Sequence, residues 1–149
     1  MAIKAIIFDM DGLMLDTERV NLSCWRRTFL EAGLPFYEQV LLDARGKNFM
    51  TEYAAWQKRL GPDVDFEALH QKKLAYANDF FEKYGTPVKT GLHALIDWLK
   101  ENSYRLALAT STAEEKARRQ LTEIGVYDKF DIYTYGPMVQ RYKPEPISF

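Results

Sequence analysis

The chain has 149 residues, 47% of them apolar, which is enough material for one folded domain with a real core. Its 20 basic and 21 acidic side chains leave a net charge of −1, without the basic surplus that a nucleic-acid or anionic-membrane partner favours. The single cysteine, Cys24, excludes an internal disulfide and a multi-cysteine zinc site, and it fits a reducing cytoplasm.

The N-terminal apolar stretch runs into Asp9 too soon to form the core of a signal peptide. No stretch approaches the ~20 apolar residues of a membrane span. Ala5 to Phe8 is a short apolar run that predicts a strand buried on both faces and ends at a turn signal, Asp9-Met10-Asp11-Gly12. Asp16 or Thr17 is placed to cap a helix running to about Ala32. Its predicted apolar face is Leu22, Trp25, Phe29 and Ala32, with Gly33 as its stop. Residues 35–88 read as helical, with turns at Gly46, Gly61-Pro62 and Gly85-Thr86-Pro87. One helix in this block has Phe66, Leu69, Ala77 and Phe80/Phe81 as its apolar face. Lys72 and Lys73 read as part of a solvated face.

After Thr90-Gly91 a further helix carries Leu92, Leu95, Ile96 and Leu99 in register. Tyr104–Thr110 then reads as a second strand. Thr112 and Glu115 have capping-box spacing at the start of another helix, and Asp131–Tyr135 reads as a third strand. Alternation of strands with helices predicts an α/β fold with a parallel sheet. The helical block interrupts it, giving a core of residues 1–16 and 88–149 and a helical cap of residues 17–87.

Asp9 and Asp11 stand two apart at the carboxyl end of the first strand, where i and i+2 share a side and where open parallel sheets bind ligands. Gly12 lets the chain turn sharply there. Two adjacent carboxylates repel and favour a cation, and hard oxygen ligands suit Mg2+. A carboxylate can attack phosphorus, and a second can serve as general acid and base. A bare Asp-x-Asp is equally the mark of a solvated acidic turn.

The longer segment FDMDGLMLDTE, through Phe8, Asp9, Asp11, Gly12, Asp16, Thr17 and Glu18, resembles the first motif of the haloacid dehalogenase superfamily. The resemblance extends to Thr110, with Ser111 beside it, after the second strand, and to Lys143-Pro144 after the third. It is nearest to the beta-phosphoglucomutase-like phosphatases. It implies a Rossmann-like core with an inserted cap, and Mg2+-dependent hydrolysis of a small phosphate monoester. By that resemblance Asp9 forms an aspartyl-phosphate and binds Mg2+, and Asp11 is the acid/base with its carbonyl on the metal. Thr110 and nearby backbone N–H groups hold phosphoryl oxygens, and Lys143 neutralises charge.

The second acid, Asp11, favours phosphate chemistry over dehalogenation. Asn21 stands where a mutase has histidine, and Gly46-Lys47-Asn48-Phe49 has no arginine at the mutase position. A phosphatase is therefore favoured over a phosphosugar mutase. Lys47 and Asn48 are candidate substrate contacts, a solvated turn being the alternative. The family pattern continues beyond the point where this sequence stops, to a fourth-motif acid. The expectation is therefore a truncated form whose first strand has an edge open to self-association, with a catalytically incomplete phosphate- or partner-binding fragment as the further alternative.

Overall fold

In the computed structural model, residues 3–44 and 49–139 are described. The elements in chain order are β1 (Ala5–Phe8), α1 (Thr17–Glu31), α2 (Glu38–Ala44), α3 (Phe49–Leu60), α4 (Phe66–Tyr84), α5 (Leu92–Glu101), β2 (Arg105–Ala109), α6 (Glu114–Glu123) and β3 (Ile132–Thr134). Short 3-10 turns at Tyr127–Lys129 and Gly136–Met138 flank β3. The three strands form a parallel sheet in the order β1-β2-β3, with Phe8 opposite Leu108 and Ala109 opposite Thr134. This is the α/β class that the alternation predicts.

The chain divides into two compact units, Met1–Thr17 with Thr86–Phe149, and Glu18–Gly85. The first holds the sheet. Its core is mostly aliphatic: Met10, Met14, Leu15, Ile96, Leu106, Leu108, Leu121 and Val126 are all at most 1% exposed. α5 contributes Leu92, Ile96 and Leu99, a 4-3 spacing that keeps one stripe inward. Leu95, read as part of that stripe, is 47% exposed, because it falls beside the stripe rather than on it.

The expectation that β1 is buried on both faces is corrected. Phe8 is buried, but Ile7 is 48% exposed, because successive side chains of β1 point to opposite faces of the sheet and only the Phe8 face is covered among the described residues. At the other end of the sheet, Asp131 accepts the Leu106 N–H at 2.8 Å and lies 3.4 Å from Lys100 Nζ and 3.5 Å from Arg105 Nε. The backbone hydrogen bond, followed by these cations, holds its carboxyl below the usual range.

The second unit has an aromatic core. Trp25 stacks on Phe66 at 5.3 Å, and Phe29 lies 4.5 Å from Trp56, with Val40 and Leu69 completing the cluster. Cys24 packs in a smaller cluster with Val20 and Ala77, and burial pushes its thiol up, as befits a packing residue rather than a nucleophile. Ala32, assigned to the inner face of α1, is exposed, and Leu22 is half-buried. Thr28 is buried instead, its hydroxyl bonded back to the Cys24 carbonyl at 2.9 Å.

Lys73 is a second correction. It is 8% exposed, not solvated, because Leu69, Lys73 and Ala77 recur every four residues along the buried stripe of α4. Its ammonium lies 5.7 Å from the Trp25 ring, which favours a cation on its face. Lys72 points outward and pairs with Glu31 at 2.8 Å. Glu31 also meets Arg27 and the Tyr76 hydroxyl, and these bonds, that from Lys72 first, hold its carboxyl down at about 2.

Candidate functional site

The site grows from the carboxyl end of β1. Burial alternates along the chain there. Phe8 and Met10 are buried, while Asp9 and Asp11 are half-buried and therefore share the more open side. The backbone then makes one tight turn, in which Met14 and Leu15 N–H both donate to the Met10 carbonyl at 3.0 Å. Gly12 takes φ +81°, where a side chain is strained, and its N–H closes the turn onto the Leu15 carbonyl at 2.8 Å. The turn is fastened to the segment after α4: Asp16 N–H donates to the Pro87 carbonyl and Lys89 N–H to the Met14 carbonyl. The Lys89 ammonium meets the Asp16 carboxylate at 2.6 Å. Asp16, which with Thr17 is a candidate cap for α1, pins this turn through its carboxylate.

Asp11 is held at both oxygens. The Thr17 hydroxyl donates to Oδ1 and the Thr112 hydroxyl to Oδ2, each at 2.7 Å. Such bonds to a carboxylate are short and strong. The capping box read for Thr112 and Glu115 does not form. α6 starts at Glu114 with Ala113 as its cap and no side-chain cap bond. Thr112 lies one residue too early, and its hydroxyl donates to the Asp11 carboxylate.

Thr110 is 5% exposed at the end of β2. Its N–H donates to the Thr134 carbonyl, and its hydroxyl oxygen accepts the Thr112 N–H at 3.1 Å. Ser111 is exposed in the loop between them. The 3-10 turn after β3 closes against the same loop through Gly136. A Cβ on Gly136 would stand 2.2 Å from the Ser111 carbonyl oxygen, so only glycine allows this approach.

The structure therefore brings Asp9, Asp11, Gly12, Thr110 and Ser111 to the carboxyl ends of adjacent strands β1 and β2. Lys143, Lys47 and Asn48 lie outside the described residues. Thr112 is the residue that sequence reasoning missed as a site member. Its position two residues after Thr110 was the available signal. His93 is exposed, and His70 sits beside Trp25 with its imidazole pushed down by burial and then by Lys73.

Among the described residues, no group of three His, Cys, Asp or Glu side chains is placed to hold a metal ion. Nor is any helix there long and apolar enough to cross a membrane.

The model of the haloacid dehalogenase-like hydrolases matches residues 6–149. The chain belongs to this family. Among the family's curated members, it is 26% identical to the phosphorylated carbohydrates phosphatase of Thermotoga maritima over 96% of its own length and 66% of that protein's. It is 27% identical to the fructose-1-phosphate phosphatase of Escherichia coli, covering 97% of this chain and 75% of the relative. Among solved structures, beta-phosphoglucomutase from Clostridium difficile shares the fold with a TM-score of 0.75 at 21% identity, over 99% of this chain and 68% of that one. The chain thus spans about two thirds of the Thermotoga phosphatase, a little more of the Clostridium structure, and three quarters of the E. coli relative.

Proposed function

We propose that the protein is a Mg2+-dependent phosphatase that hydrolyses a small phosphate monoester through an aspartyl-phosphate on Asp9. The observation that carries this reading is the turn after β1. It holds two half-buried aspartates two residues apart, the second oriented by hydroxyls at both oxygens, beside the loop that carries Thr110. The relatives named as sugar-phosphate phosphatases support it.

In the first half-reaction an Asp9 carboxylate oxygen attacks phosphorus and the bond from phosphorus to the leaving oxygen breaks. Asp11 gives that oxygen its proton, releasing an alcohol. In the second half, Asp11 takes a proton from water as the water oxygen attacks phosphorus. The bond from phosphorus to Asp9 breaks and inorganic phosphate leaves. The Thr110 hydroxyl and the backbone N–H groups of the two turns would hold phosphoryl oxygens where charge develops, and Lys143 would neutralise charge.

The donor set suits Mg2+. The Asp9 carboxylate and the Asp11 backbone carbonyl would supply hard oxygen ligands, while hydroxyls orient the Asp11 carboxylate at both oxygens. Mg2+ is commonly held by one or two carboxylates, with water and substrate phosphate completing its shell. When bound it would offset the negative charge of the phosphoryl group. The helical unit of residues 18–85 would serve as the cap that selects the substrate.

The test is Mg2+-dependent phosphate release from an aryl phosphate, comparing the chain with Asp9→Asn. The expected loss is on the order of 10⁴-fold. Equal release by both, or release by neither folded protein, overturns the reading.

A further inference from the structure

We infer that Thr112 is a positioning residue for Asp11, tying the acid/base carboxyl to the loop that carries Thr110. The inference rests on the hydrolytic reading above and adds a residue to it.

Thr112 takes part in three hydrogen bonds. Its N–H donates to the Thr110 hydroxyl oxygen at 3.1 Å, and its own hydroxyl donates to Asp11 Oδ2 at 2.7 Å. The first bond occupies an acceptor position of the Thr110 hydroxyl and leaves its proton for a phosphoryl oxygen. The second fixes one edge of the Asp11 carboxyl, while Thr17 fixes the other through Oδ1. The Thr112 carbonyl accepts the Gly136 N–H at 3.3 Å, and Gly136 packs against the Ser111 carbonyl with no room for a Cβ. The loop from Thr110 to Thr112 is therefore braced by β3 on one side and bonded to Asp11 on the other.

A hydroxyl suits this place for a chemical reason. It donates to a carboxylate and, on rotating, accepts from a carboxylic acid, so it accompanies Asp11 through both protonation states. Each carboxyl oxygen also keeps a second lone-pair direction for the leaving oxygen or for water. Phosphate bound by Thr110 and the acid that protonates its leaving group are then held in register by one residue. Misplacement of such a group by even an ångström is costly to catalysis.

This role has a signature that a structural or phosphate-binding role lacks. A general acid matters most when the leaving group is a poor one. An alkyl phosphate needs its leaving oxygen protonated, whereas a p-nitrophenyl leaving group departs as the anion. The experiment compares the wild-type chain with Thr112→Val and Thr112→Ser on both substrates. Leaving-group release in a single turnover reports the first half-reaction alone, in which Asp11 acts only as the acid. Thr112→Val is expected to slow it about 10- to 100-fold on the alkyl phosphate, the range for losing a hydrogen bond to a charged group, and less than about threefold on p-nitrophenyl phosphate, with half-saturation unchanged on both. Thr112→Ser should restore the alkyl rate.

Equal losses in that first half-reaction on the two substrates, or a rise in half-saturation that dominates, overturn the inference in favour of direct phosphate binding or general disruption. A second readout needs no turnover. In protein labelled with ¹³C at aspartate carboxyls, Thr112→Val should move the Asp11 carboxyl resonance at neutral pH, and Thr112→Ser should leave it in place. An unmoved resonance also overturns the inference. Failure of the wild-type chain on both substrates, by contrast, overturns the hydrolytic reading itself.

Discussion

Two aspartates stand at opposite ends of one sheet and are held by opposite means. Asp131, just before β3, takes a backbone N–H and two cationic side chains, Lys100 and Arg105. Asp11, beyond the carboxyl end of β1, takes two neutral hydroxyls. Ammonium and guanidinium groups only donate, so the surroundings of Asp131 accept one protonation state. A hydroxyl donates or accepts, so those of Asp11 accommodate both. The same side chain thus becomes a staple at one end and an acid/base candidate at the other, and the partner's chemistry decides which.

Removing the Asp11 carboxyl breaks the comparison most sharply. Asp11→Ala should lower phosphate release by about 10² to 10⁴-fold, the usual worth of a general acid/base. Steady-state kinetics on the folded variant checks it.

Next in size is the backbone approach that braces the Asp11 end. Gly136→Ala forces a methyl against the Ser111 carbonyl, and the two backbones must part. The expected cost is about 1–3 kcal/mol of stability, read by denaturant unfolding, together with reduced turnover as the Thr110 loop shifts. A variant as stable as the wild type would show that the two loops do not need this contact.

The smallest effect belongs to the staple. The Asp131 carboxyl is held below its ordinary range in the folded state, so the unfolded chain binds its proton first as the pH falls. Its stabilising contribution is present above the unfolded value, about pH 4, and is lost as the pH drops through the folded one. Asp131→Asn should therefore lower stability slightly at pH 7 and reduce the loss as the pH falls below about 4, with kcat unchanged. Thermal unfolding at those pH values would reveal it. An effect on kcat instead would erase the distinction between the two ends.

Much of the fold was legible before any coordinates. β1 follows its apolar run, α1 stops before Gly33, and the helical segment between the first two strands divides at the turn residues Gly61-Pro62 and Gly85. The misses share a cause. Ile7 is expected to be buried because an apolar run does not say whether both faces of its strand are covered. Lys73 was read as solvated because its charge was weighed above its four-residue spacing from Leu69 and Ala77. Thr112 was assigned to a helix cap because a capping box is a local pattern, and local patterns do not see a carboxylate elsewhere in the chain.

The sequence by itself determined what depends on near neighbours: the strand ending at Asp9, the sharp turn that Gly12 permits, and the pairing of Asp9 with Asp11 on one side. These follow from side-chain periodicity and backbone sterics over a few residues. Only the tertiary structure decided what holds Asp11, because Thr112 reaches it from 101 residues away. That meeting exists because β1 and β2 pair in parallel and deliver their carboxyl ends, each with its turn, to the same edge of the sheet.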